Sequence, residues 1–181
     1  MVMKRSHILL LANFLYMAGV GLLSPIYALY VLEINGDEFI AGASWSLYLI
    51  TAGMIMLLFS KKEDLAESYK PFLVTGYFVA ALSTFMYLVI NTVPQLFMLQ
   101  IVHAIGIGLL TPSLRAAYTQ LQNKRQKAHE WALFDGGLFV LQGIAAFIGG
   151  ALLSLFGFTS LFIFMGAIQL LSTIIVSRVK I

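Results

Sequence analysis

Long apolar runs dominate this sequence and restrict the fold to a bundle of membrane-spanning helices. About 20 residues of α-helix cross a bilayer, and short polar segments separate six apolar runs of about that length. The predicted helices are residues 7–31, 39–60, 71–90, 94–118, 131–156 and 161–176. With a mean hydropathy of +0.92 and 10% charged residues, the chain is too apolar for a soluble domain. We therefore predict an all-α polytopic protein of the lipid bilayer, with one six-helix domain over residues 1–181.

Basic residues predict the orientation of the chain. All the Lys and Arg residues lie at the termini, in the second and fourth connections, or in the span ends beside them. They are Lys4, Arg5, Lys61, Lys62, Lys70, Arg115, Lys124, Arg125, Lys127, Arg178 and Lys180. Because cytoplasmic loops are enriched in Lys and Arg, we expect both termini in the cytoplasm and the chain in the plasma (inner) membrane. We expect a complete six-span unit from the start at Met1 and the basic tail over 177–181, and the alternative is a fragment of a longer gene product.

Several classes of site are excluded or disfavoured by the composition. The chain has no cysteine, so disulfides, thiolate metal sites and a cysteine nucleophile are ruled out. The net charge of +3 lies in short clusters between apolar spans, without a nucleic-acid motif, and we expect no nucleic acid partner. Neither a Gly-x-Ser-x-Gly nor a His-Glu-x-x-His motif occurs, so an intramembrane enzyme is the least favoured interpretation. We predict no enzyme activity, no cofactor and no metal.

Uncharged polar residues recur on one face of several spans, at the spacing of a helix of 3.6 residues per turn. These candidate path residues are Asn13, Tyr16, Ser24 and Tyr27 in the first span, Ser44, Tyr48 and Thr51 in the second, Gln100 and Thr111 in the fourth, and Gln142 in the fifth. Such stripes either line a water-filled path or make ordinary hydrogen bonds between helices, and both interpretations stay open. Pro25 is expected to kink the first span.

Three ionisable residues inside the predicted spans are candidate functional residues. His103, near the middle of the fourth span, is either a site of proton coupling or a neutral, hydrogen-bonded histidine. Arg115 precedes the basic loop 122–130 and Asp135 follows it, so a helical hairpin would place both at similar depth. Charges inside a membrane usually pair, and we expect Asp135 to pair with Arg115 or with a Lys or Arg of the adjacent loop, with Glu130 as a competitor for Arg115. The alternative for Asp135 is a proton site or a counter-charge for the substrate.

Small residues in the fifth span are spaced for close helix packing. Ala145 with Gly149, and Ala146 with Gly150, are four residues apart. Such pairs allow the backbone of a neighbouring helix to approach. We expect tight packing there rather than contact with a substrate.

Short glycine-containing motifs recur in the second half of the chain. They are the run 106–108 (Gly-Ile-Gly) with Pro112 in the fourth span, the pair Gly149 and Gly150 in the fifth, and the run 156–162 (Phe-Gly-Phe-Thr-Ser-Leu-Phe) at the turn that follows. With these motifs, the second half of the chain resembles the N-terminal half of a major facilitator superfamily transporter. The resemblance covers all six spans in spacing and the second half of the chain in motif. It identifies a fold class, half of a major facilitator fold, with six helices in two inverted three-helix repeats.

The chain departs from the family pattern in its loops and in two helices. Between the second and third spans the family commonly has Gly-x-x-x-Asp-Arg-x-Gly-Arg-Arg, whereas segment 61–70 offers Asp64 and Lys70 but neither glycine nor arginine. Val102 replaces an arginine of the fourth helix, and the fifth span lacks most of the family's antiporter motif. The motifs therefore do not predict proton antiport.

The resemblance also implies a function. Family transporters have two six-helix halves with the substrate bound midway between them, and a lone half would leave its polar stripes against lipid. We therefore expect a parallel homodimer that moves a small solute by alternating access, with proton coupling left open. Neutral or amphipathic solutes suit the few charges in the spans. The alternative is a non-transporting assembly or regulatory subunit that pairs with another half-transporter.

Overall fold

Helices account for nearly all of the chain in a computed structural model that describes residues 5–179. The helices are α1 (Arg5–Leu23), α2 (Tyr27–Glu33), α3 (Glu38–Asp64), α4 (Lys70–Met86), α5 (Val93–Leu121), α6 (Lys127–Trp131) and α7 (Gly137–Arg178). A 3₁₀ turn, Ser24–Ile26, joins α1 to α2, and a π-helical turn, Ala132–Gly136, joins α6 to α7. No β-strand occurs within the described range. Lys4 and Lys180, two of the residues behind the predicted orientation, lie outside it.

Four helical stretches are long and apolar enough to cross a bilayer. They are Arg5–Glu33, Glu38–Asp64, Val93–Leu121 and Lys127–Arg178. The apolar α4, with 17 residues, is about 26 Å long, at the lower limit for a span. Because helices satisfy their own backbone hydrogen bonds in lipid, the fold and composition together define an integral membrane protein.

Prolines and one aspartate set where several helices bend or begin. Pro25 lies in the 3₁₀ turn that separates α1 from α2, which confirms the predicted kink, because proline lacks the N–H that a helix interior needs. Pro71 and Pro94 occupy the first turns of α4 and α5, where a missing N–H costs nothing. Asp37 caps α3 by accepting a hydrogen bond from the backbone N–H of Ile40 at 2.7 Å.

The predicted turn over residues 157–160 is present, but it is shorter than expected. Only Gly157 departs from helical geometry, with φ 75° and ψ 177°, a conformation that is essentially restricted to glycine. Residues 158–160 are already helical. The sequence therefore predicted the position of the break correctly and its length wrongly, because one glycine makes a change of direction for which a longer loop was expected.

Packing of α7 against α1 uses one of the two small-residue pairs. Gly149 is buried against the backbone of Leu22, where an added Cβ would meet the carbonyl group, and Ala145 approaches Gly21. The close approach expected from this pair is confirmed. The second pair behaves differently, because no atom lies within 4 Å of a Cβ added at Gly150.

Candidate functional site

Among the described residues, two cavities between the helices have polar groups in their walls, and most of the predicted path residues line one or both of them. The first measures about 50 Å³, and its polar lining is Ser24, Tyr27, Tyr48, Thr84, Tyr87, Gln100, His103 and Gln169. The second measures about 160 Å³, and its polar lining is Asn13, Tyr16, Tyr48, Thr111 and Arg115. Tyr48 of α3 belongs to both walls. The first cavity draws on α1, α2, α3, α4, α5 and α7, so it is a feature of the assembled bundle.

A directed chain of hydrogen bonds forms one wall of the first cavity. Gln100 of α5 donates to the hydroxyl of Tyr27 at 2.6 Å and lies 3.4 Å from that of Tyr87. The Tyr27 hydroxyl lies 2.7 Å from that of Ser44, which donates to the carbonyl of Ala41. Ser44 is therefore the acceptor from Tyr27, because its one hydrogen is already used. The chain links α5 to α2 and α3, and it satisfies groups that would be costly to bury unpaired.

His103 is held in one orientation by a serine of α4. Its Nδ1 lies 2.7 Å from the hydroxyl of Ser83, and Ser83 donates its own hydrogen to the carbonyl of Ala80 at 2.7 Å. The imidazole must therefore donate through Nδ1, which leaves Nε2 as an acceptor when the ring is neutral. The ring of Tyr48 lies 5.5 Å from that of His103. This geometry suits the hydrogen-bonded alternative, while proton coupling at His103 stays a prediction.

Three polar residues in the wall of the first cavity, Thr84, Tyr87 and Gln169, were not predicted from the sequence. Thr84 of α4 donates to the side-chain oxygen of Gln169 in α7. Gln169 is fully buried, and its Nε2 has no hydrogen-bond partner among residues 5–179. The available signal was that Gln169 is the one amide in the apolar run 161–176. Its free donor lies beside the cavity, where a bound molecule could accept from it.

Polar groups around the second cavity make fewer bonds between helices. Asn13 accepts from the hydroxyl of Tyr77 at the long distance of 3.4 Å. Tyr16 is 1% exposed, and its hydroxyl has no partner within the described chain. Thr111 donates to a carbonyl one turn earlier in its own helix. Arg115 lines the cavity and is exposed at the surface.

The expected ion pair between Arg115 and Asp135 is not formed in this structure. Both side chains are exposed, and no ion pair joins them in the part of the chain that the structure describes. Asp135 lies in the π-helical turn, whose wider backbone bonding alters the direction of its side chains. Phe134 points inward instead, 4.9 Å from the ring of Tyr118. Glu130, the expected competitor, accepts from the Tyr118 hydroxyl at 3.0 Å.

Thr51 and Gln142 line neither of the two cavities. Thr51 is half-buried in α3. Gln142 of α7 is also half-buried, and its backbone lies 3.2 Å from a Cβ added at Gly21 of α1. Gln142 therefore marks a packing contact between helices in this structure.

Fold and cavities together define a class of protein, a polytopic helical membrane protein with polar cavities between its helices. The sequence model of the Major Facilitator Superfamily matches residues 9–180, so the chain belongs to this family of transporters. It is also similar to an uncharacterized MFS-type transporter of Methanocaldococcus jannaschii, at 25% identity over 172 residues. That match covers 95% of this chain and 44% of the relative. The chain thus spans less than half the length of the relative.

Proposed function

We propose that this chain is one half of a secondary transporter, which moves a small neutral solute by alternating access as a parallel pair of identical chains. Family membership and the 44% coverage of a longer relative support a half-size unit. Transporters of this family bind substrate between two six-helix halves. The observation that carries the proposal is the pair of cavities, since both lie between helices and include exposed residues in their walls.

Six membrane crossings are part of this proposal, and the packing of α7 supports them. With 42 residues, a straight α7 would be about 63 Å long, twice the hydrocarbon thickness of about 30 Å. Gly149 lies against Leu22 of α1, yet Gln169, twenty residues later, lies against Gly19. Those two α1 positions are only about 4.5 Å apart along the helix axis. A chain that reverses at Gly157 satisfies both contacts and gives two antiparallel spans.

Orientation follows from the same arrangement. An even number of spans puts both termini on one side. The described basic residues occur at the start of α1, in the last turn of α3, at the start of α4, late in α5, in the basic loop and in the last turn of α7. By the positive-inside rule, that side is the cytoplasm. We propose the plasma membrane as its location.

The solute class is inferred from the first cavity. Its polar lining contains amide, hydroxyl and imidazole groups but no carboxylate, Lys or Arg. Rings follow one another along the wall, with centroids 5.7 Å apart for Tyr27 and Trp45, 5.1 Å for Trp45 and Tyr48, and 5.5 Å for Tyr48 and His103. Aromatic faces with a few fixed polar groups are typical of sites for small organic ligands. A neutral molecule with a flat apolar face and hydrogen-bonding groups fits this wall.

The solute class can be tested through Trp45, which is one of two tryptophans in the chain. In a Trp131→Phe background, Trp45 is the only indole, and a ligand in the first cavity should change its fluorescence. We expect saturable quenching by benzamide and much weaker quenching by benzoate or benzylamine, which have a similar shape but a charge. Equal responses to all three compounds would contradict a neutral site.

Fewer polar residues need to be covered by a second chain than the sequence suggested. Of the ten polar stripe residues, four are half-buried, and five are buried inside the single chain. The buried ones are Asn13, Tyr16, Tyr27, Ser44 and Gln100. Polar groups that remain exposed are Ser24 at the first cavity, Arg115 at the second, and Asp135. Exposed charges on membrane-spanning helices need water or an opposite charge. A second copy of the chain, packed over the openings of the cavities, supplies opposite charges for these residues.

Native mass spectrometry of the chain in nanodiscs tests the pairing. We expect a mass of two chains for the wild type and a shift towards one chain in Arg115→Gln. Lys124→Gln, which removes an exposed charge of the basic loop, should leave the pair intact. One chain alone under mild extraction would overturn the homodimer. A complex with a different six-span protein would favour the assembly-subunit alternative.

A further inference from the structure

Glu63, in the last turn of α3, is a buried acid that has no counter-charge among the described residues. Its side chain is 1% exposed. One carboxyl oxygen accepts a hydrogen bond from the Ser113 hydroxyl of α5 at 2.7 Å, and the other has no partner among residues 5–179. The neighbouring charge that acts on it is another carboxylate, Asp64. Within residues 5–179, the side chain of Glu63 is therefore held by Ser113, a neutral residue.

Two features of this position oppose a negative charge on Glu63. Burial of a carboxylate without a cation is costly, because the group loses its water and gains little in exchange. Glu63 also lies at the C-terminal end of a helix, where the unpaired carbonyl groups already carry partial negative charge. A bound proton removes both penalties. The neutral acid can keep its hydrogen bond with Ser113.

We propose that Glu63 is a proton-binding site, and that the end of α3 docks on α5 only while this carboxyl group holds its proton. On losing the proton, the carboxylate is better solvated in water than against Ser113, so the last turn of α3 leaves α5. Ser44, Ala52 and Glu63 are the buried residues of α3, fewer than in α1, α5 or α7, so this helix has the least buried contact to lose when it moves. Pro112, which directly precedes Ser113, also interrupts the backbone hydrogen bonding of α5 because it has no N–H.

The consequence for transport rests on the proposed function, whereas the docking itself does not. In a half-transporter, proton uptake at Glu63 would change the position of α3, and α3 supplies Tyr48 to both cavities. Proton binding at one end of α3 would thereby change the walls of the solute path. Neither His103 nor Asp135 is needed for this coupling.

Other titratable groups around the contact are exposed or titrate elsewhere. Lys61, Lys62 and Asp64 share the last turn of α3, and Arg115 is the nearest charge along α5. All four are exposed, so water screens their effect. Burial, followed by the charge of Asp64, raises the pKa of Tyr69 in the connecting segment, which keeps that phenol neutral. The remaining neighbour, α2, carries Glu33 in its last turn, near the start of α3 rather than its end.

Dipolar EPR on the full chain in nanodiscs tests the proposal without any solute. The chain has no cysteine, so spin labels can be attached at Leu65→Cys, beyond α3, and Thr119→Cys, on α5, both of which are exposed. Labelled chains are diluted with unlabelled ones to suppress distances between copies. We expect a short-distance population at pH 5 that converts to a longer one by pH 9.

Three variants make the result specific to Glu63. Glu63→Gln, which imitates the protonated acid, should keep the short distance at every pH. The matched control Glu67→Gln, at an exposed position, should retain the wild-type response. Ser113→Ala should shift the population towards the longer distance already at pH 5. The proposal is overturned if the wild-type distances do not change between pH 5 and pH 9, or if Glu63→Gln responds to pH like the wild type. A one-chain mass in nanodiscs would remove the homodimer and leave this result unaffected.

Discussion

The walls of the two cavities differ in how their polar groups are bonded. In the first cavity, Gln100 bonds from α5 to α2, His103 from α5 to α4, and Gln169 from α7 to α4. In the second, Thr111 bonds within its own helix and the Tyr16 hydroxyl has no partner in the described chain. Bonds between helices fix the direction of donors and acceptors before a ligand arrives. We infer that the first cavity selects the solute, and that the larger second cavity provides passage.

Among variants that test the difference between the two cavities, Gln100→Leu is expected to have the largest effect on stability and on ligand binding. The change removes the amide that bonds Tyr27 and approaches Tyr87, and leaving buried polar groups unpaired costs about 1–3 kcal/mol. The free energy of unfolding should fall by that amount, and the dissociation constant for benzamide should rise about tenfold. Fluorescence titration and chemical unfolding measure the two effects.

Gln142→Leu is the matched control for that prediction, since Gln142 lines neither cavity. Its effect on stability should stay within about 0.5 kcal/mol, with benzamide binding unchanged. If both variants lose binding equally, the assignment of the first cavity as the selective site is wrong.

A smaller effect is expected from Ser83→Ala, which frees the ring of His103. The imidazole loses the acceptor for its Nδ1 proton, at a cost of about 1 kcal/mol, so benzamide affinity should drop by roughly fivefold. Ser154→Ala provides the comparison, because Ser154 is exposed and bonds only within its own helix. A pH profile of binding that changes in Ser83→Ala, rather than a uniform drop, would favour proton coupling at His103.

The smallest effect is expected from Tyr16→Phe in the wall of the second cavity. Its hydroxyl makes no bond in the described structure, so its removal should change the free energy of unfolding by less than about 0.5 kcal/mol. Tyr27→Phe, the same change in the first cavity, breaks two hydrogen bonds and should cost about 1–2 kcal/mol. Similar thermal unfolding of the two variants would remove the distinction between the cavities.

Positions of helices and of inward polar residues were predictable from the sequence. Pro25 and Pro71 fixed a kink and a helix start, because their effect on the backbone is local. Tyr27 and Gln100 were predicted from helical spacing, and they line a cavity because polar side chains turn inward in an apolar bundle. Local rules were sufficient for these features.

Features that depend on distant partners or on exact helix register were not predictable. The bond between Thr84 and Gln169 joins residues 85 positions apart, and spacing within one helix carries no information about it. The direction of the Asp135 side chain depends on a π-helical turn that no pattern in the sequence predicted. Glu63 was assigned to a polar loop because of its charged neighbours, whereas α3 continues to Asp64 and buries it.

Gly157 has a consequence for how the protein enters the membrane during synthesis. In the proposed six-span arrangement, one residue links two apolar helices, so neither can leave the translocon and settle in the bilayer alone. They would insert as a single hairpin, only after the ribosome has made both. The backbone conformation that glycine can adopt at residue 157 thus determines that these two helices insert together. Until Arg178 has emerged from the ribosome, the helix that follows Gly157 would lack its basic anchor on the cytoplasmic side.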